Sequence, residues 1–143
     1  MFALLKLLHI FGFIAWFSGL LGTTAAQVAV RKAQSAEGRQ AAWSVMNRLV
    51  PNEIFGMILT PLAGIALTVH AGMGKLGFVH TKMLLVLIAV VFNVLVIVAR
   101  KKAAPRIAEG GPELGSALKR MAMFQGIATL MLPAAVVVVM LLR

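Results

Sequence analysis

Lys6–Leu20 reads KLLHIFGFIAWFSGL, a run apolar enough to lie in a bilayer that still carries a lysine and a histidine near one end. An ionisable side chain inside a membrane helix is costly and marks a functional site by default. On a helix, Lys6, His9, Gly12, Phe13, Trp16, Gly19 and Leu20 recur every three or four residues and share one face. That face offers an imidazole, a wide aromatic ring and two glycines that permit close approach. The expectation it raises is one wall of a haem pocket.

The rest of the chain fits a membrane setting. Of 143 residues, 61% are hydrophobic and only 13% charged, with mean hydropathy +0.96. A water-soluble domain of this size has too much surface to hide that much apolar side chain. Cysteine is absent, which excludes disulfides, thiolate nucleophiles and cysteine-ligated metals. The net charge of +10 lies between apolar runs. That placement follows the positive-inside rule and makes anionic lipid headgroups the expected partner, with no nucleic acid.

Four runs are long enough to cross about 30 Å of hydrocarbon. They are residues 3–30, 52–70 (interrupted by Pro61), 77–99 and 121–142 (containing Pro133). The expected fold is therefore all-α, a bundle of four transmembrane helices forming a single integral-membrane domain over residues 1–143. Residues 31–50 and 100–120 are polar and basic and read as connections on the cytoplasmic side. Residues 71–76, AGMGKL, read as a tight hairpin on the far side. Both termini then fall on the non-cytoplasmic side of a multi-pass protein, expected in a bacterial inner membrane.

That topology puts His9, His70 and His80 in one outer layer. At 1.5 Å per residue, His9 lies roughly 10 Å inside its helix end and His80 roughly 5 Å inside. Haem b needs axial imidazoles, a flat apolar slot and something for its propionates. His9 and His80 are the expected axial pair, Phe13 and Trp16 the cover, and Lys6 and Lys82 the propionate partners. His70, beside a glycine hairpin, reads first as a headgroup-level residue and second as an alternative ligand.

Other residues carry blander readings. Ser18–Gly22 and Gly19–Thr23 are small-xxx-small steps suited to helix packing. Asn93, Gln125 and Thr129 read as interhelical hydrogen-bond partners. Glu53, the one acid adjoining a span, reads first as a cap on the second helix and second as a proton acceptor there. The methionines form no soft copper ladder. No phosphate loop, nucleophile elbow or paired-acid motif is present.

Several of these stretches resemble a known family. Lys6-Leu-Leu-His9-Ile followed by Trp16-Phe-Ser-Gly19-Leu resembles the opening of HemJ-type protoporphyrinogen IX oxidases, small bacterial four-helix membrane proteins that bind haem b. Met46-Asn-Arg48-Leu, then Pro61 and Gly64, is similar to the start of that family's second helix. Gly77-Phe-Val-His80-Thr-Lys82 is similar to its third-helix opening. The copper-resistance D-like families share the lysine/histidine opening. The resemblance implies haem ligation by His9 and His80 and roles for Lys82 and Arg48.

The expected function is thus a b-type haem protein with a redox or electron-transfer role, acting on a quinone or tetrapyrrole. The alternatives are a non-catalytic subunit of a larger respiratory or photosynthetic membrane complex, or a metal or transport protein of the copper-resistance kind. Four spans also offer perimeter enough for a homodimer.

Overall fold

Pro51 and Pro61 do not end the second helix. In the computed structural model, which describes residues 1–142, it runs unbroken. The element order is α1 (Phe2–Lys32), α2 (Ala36–His70), α3 (Gly77–Ala103) and α4 (Gly111–Leu142). Short 3₁₀ turns lie at Met73–Lys75 and Ala104–Arg106. All four helices are long and apolar enough to cross a membrane.

The sequence boundaries are corrected at the basic end, where residues 36–50 and 111–120 are helical, not loop. The reason is local. Ser35 caps α2, its hydroxyl accepting from the Gly38 amide at 3.1 Å, and Glu37 sits in the first turn. Alanine, arginine, glutamine and methionine then favour helix whatever their polarity. Gly110 and Gly111, with φ of 75° and 85°, make the left-handed turn that lets α4 start early. At 35 residues, α2 is about 50 Å long, well beyond the hydrocarbon thickness. The surplus closes over the basic end, where Val30, Trp43, Met46, Ile107 and Leu118 form a second core. Arg39 straps it, its Nε and Nη2 donating to the Ile107 and Ala108 carbonyls at 2.9 and 3.0 Å.

The helices pair along the chain. α1 lies along α2 and α3 along α4, while α1 also touches α4 and α2 barely meets α3. Trp16, Leu20, Ala89, Ala128 and Leu132 form the membrane-level core. Glycine sets the α1–α2 distance. A Cβ on Gly19 would lie 2.7 Å from the Glu53 Cα, and one on Gly56 would strike the Trp16 backbone. Gly22 faces a side-chain tip, with its Cβ position 2.9 Å from Leu49 Cδ1, so the small-residue steps of α1 do serve packing. Leu4, Leu7, Ile14, Leu62, Leu84, Leu87 and Leu130 are exposed, an outer surface suited to lipid and not to water.

Candidate functional site

Two polar layers interrupt the apolar bundle. The deeper one is built around Glu53, in the middle of α2 and fully buried. Its Oε1 accepts from Asn93 Nδ2 at 2.6 Å, and its Oε2 from Thr23 Oγ1 at 2.9 Å and Arg100 Nη2 at 3.3 Å. Asn93 Oδ1 in turn accepts from Trp16 Nε1 at 2.7 Å. Tryptophan only donates and a carboxylate only accepts, so these neighbours fix which way the Asn93 amide points. Gln125 Nε2 donates to Thr23 Oγ1 and, at 3.1 Å, to the Leu20 carbonyl. One connected network thus joins all four helices, with a carboxylate and a guanidinium paired inside it.

The second layer lies toward the termini and is centred on His9. Its Nδ1 donates to the Thr60 carbonyl at 2.8 Å, and its Nε2 lies 3.2 Å from Lys82 Nζ. A carbonyl only accepts, so Nδ1 carries the proton and the Nε2 lone pair faces the ammonium. Gly64 makes room for the ring: a Cβ there would lie 3.0 Å from His9 Cε1. His9 and Lys82 line a cavity of about 230 Å³ whose other walls include Ile10, Phe13, Val86, Leu132 and Met140. Among the described residues, the two ion pairs are Arg100–Glu53 and Arg106–Glu113, so Lys82 has no carboxylate partner.

The structure brings some of the expected site residues together and separates others. His9, Phe13 and Lys82 share the cavity. Trp16 lies outside it, fully buried and committed to Asn93. Lys6 is exposed. His70 is exposed at the end of α2, stacked on Phe2 with ring centroids 6.2 Å apart. The groups bonded to His9 are the Thr60 carbonyl and the Lys82 ammonium on neighbouring helices, and His80 is exposed. It precedes Lys82 by two positions, about 200° around α3, so the lysine reaches inward and the histidine faces out. His9 Nε2, the nitrogen iron would take, already faces Lys82. The adjoining cavity is below the roughly 300–1,000 Å³ typical of cofactor-sized pockets. His80 lies outside the cavity that His9 and Lys82 line. No group of three or more metal-binding side chains converges among the described residues.

Glu53 and Arg100 are what sequence reasoning misplaced. Glu53 is no helix cap, because α2 begins well before it, and Arg100 is no loop residue, because α3 continues past it. The available signal was an acid and a base each bordering an apolar run, which in a membrane protein is reason enough to test them as a pair. Asn93 and Gln125 do bond across helices, whereas Thr129 donates to the Gln125 carbonyl of its own helix. No family model, curated protein or solved structure matches the chain.

Proposed function

We propose that this chain is a multi-pass membrane protein that binds a quinone ring in the His9–Lys82 cavity, in the service of a redox or electron-transfer process. The observation that carries the reading is an ammonium and an imidazole 3.2 Å apart on the wall of an otherwise apolar cavity, with no carboxylate beside them. A half-buried cation without a counter-charge is favoured by an oxygen acceptor. Lys82 gives one N–H to His9 and keeps two for a ligand carbonyl. Phe13, Val86 and Leu132 supply apolar walls for a single ring. A tetrapyrrole, the other partner the sequence suggests, needs more room than this cavity offers. The site offers binding and hydrogen-bond donation, and a partner carrier supplies any electrons.

Titration of the detergent-purified protein with a short-tailed ubiquinone, followed by equilibrium dialysis, tests this. Losing a charge-assisted hydrogen bond in Lys82→Gln should weaken binding about tenfold or more. Lys75→Gln, in the exposed hairpin, should leave binding unchanged. Equal affinity in wild type and Lys82→Gln would sink the proposal. So would a stoichiometric b-type haem spectrum, in a pyridine haemochrome assay, that disappears in His9→Ala.

A further inference from the structure

A second cavity, larger than the one at His9, lies elsewhere in the bundle. It is a groove of about 670 Å³ between α2 and α3 at the basic end, where those two helices part. Val50, Ile54 and Ile97 give it apolar walls. Its polar edge is Asn47, Arg100 and Lys101. Arg100 is only 5% exposed, and of its five N–H donors a single one is spent, on Glu53. Its Nε and Nη1 are buried and have no partner among the described residues. Unmade donors of this kind carry a desolvation cost that an oxygen acceptor entering the groove would relieve. The same edge carries a spare acceptor. Pro51 has no N–H, so the Asn47 carbonyl has no helical donor.

We propose that this groove is a binding site for an anionic phospholipid, with acyl chain along Val50, Ile54 and Ile97 and the phosphate held by Arg100 and Lys101. The charge balance favours this occupant. Glu53 neutralises Arg100, so Lys101 leaves the groove edge with net positive charge. A guanidinium with spare donors matches phosphate oxygens in geometry as well as sign. A headgroup hydroxyl supplies the donor that the Asn47 carbonyl lacks. The long basic helix extensions put this edge at the level where headgroups lie. The proposal is independent of the quinone reading, since the two cavities share no residue.

Native mass spectrometry of the full chain, titrated with phosphatidylglycerol and with phosphatidylcholine of the same acyl chains, tests it. Wild type should retain phosphatidylglycerol preferentially. Lys101→Gln should weaken that retention about fivefold, the effect of one cation at a headgroup. Lys102→Gln, which removes the neighbouring charge outside the groove, should not. Val50→Trp fills the groove with every charge kept and should abolish the preference. Equal retention of both lipids overturns the proposal. An equal loss in Lys102→Gln and Lys101→Gln, or no effect of Val50→Trp, overturns it too.

Discussion

Glu53 shows what one residue demands of its surroundings in a membrane. A carboxylate removed from water is costly unless it is paired and its lone pairs are filled, and here Asn93, Thr23 and Arg100 together do that. Breaking the pair on one side leaves an uncompensated buried charge. Arg100→Met should therefore destabilise the protein by about 3–5 kcal/mol. Adding Glu53→Gln to Arg100→Met should recover most of that loss, because no charge is then stranded. Thermal unfolding in detergent, followed by circular dichroism on both single variants and the double, checks this non-additivity. Strictly additive losses would mean that the two groups are not coupled.

At the scale of the helices, the close α1–α2 approach rests on residues without side chains. Gly56→Ala places a Cβ against the Trp16 backbone, where neither helix has a flexible atom to move aside. Overpacking of that kind typically costs about 1–3 kcal/mol. Gly126, on α4, has open space where its Cβ would be, so Gly126→Ala should be neutral or stabilise by up to about 1 kcal/mol. Melting temperatures of the two variants should move in opposite directions or differ clearly, and matching losses would refute the packing argument. The face containing His9, Gly12, Trp16 and Gly19 is legible from spacing alone. Its use is not. Most of it is buried against neighbouring helices, and only Phe13 and His9 reach a cavity.

For the molecule as a whole, the two hairpins α1–α2 and α3–α4 are tied together by polar atoms that run from mid-bundle toward the basic end. Trp16–Asn93, Glu53–Arg100 and Gln125–Leu20 each cross between them. Charge is unevenly distributed along the bundle axis. Arg31, Lys32, Arg39, Lys102, Arg106, Lys119 and Arg120 lie toward the end with the Ser35 and Gly110 turns, whereas Lys75 sits in the opposite hairpin. The positive-inside bias predicts that the basic end faces the cytoplasm. The chain has no cysteine, so single introduced thiols report topology cleanly. In intact cells a membrane-impermeant maleimide should label Gly74→Cys and spare Glu109→Cys. The reverse pattern would invert the orientation.

The sequence by itself determined the four membrane-crossing helices, their order and the interhelical roles of Asn93 and Gln125. Those follow from run length, hydropathy and the cost of polar groups in lipid, all of which are local in the chain. It also brought Lys82 and His9 into one candidate site. Only the tertiary structure decided that Lys82 and not His80 meets His9, that Glu53 pairs with Arg100, and that α2 and α3 part into a groove. Each of these depends on how helices are rotated about their axes and how closely they approach. A rotation that turns one helix position inward turns its second neighbour outward, and in α1 and α2 the approach is fixed jointly by glycines far apart in sequence.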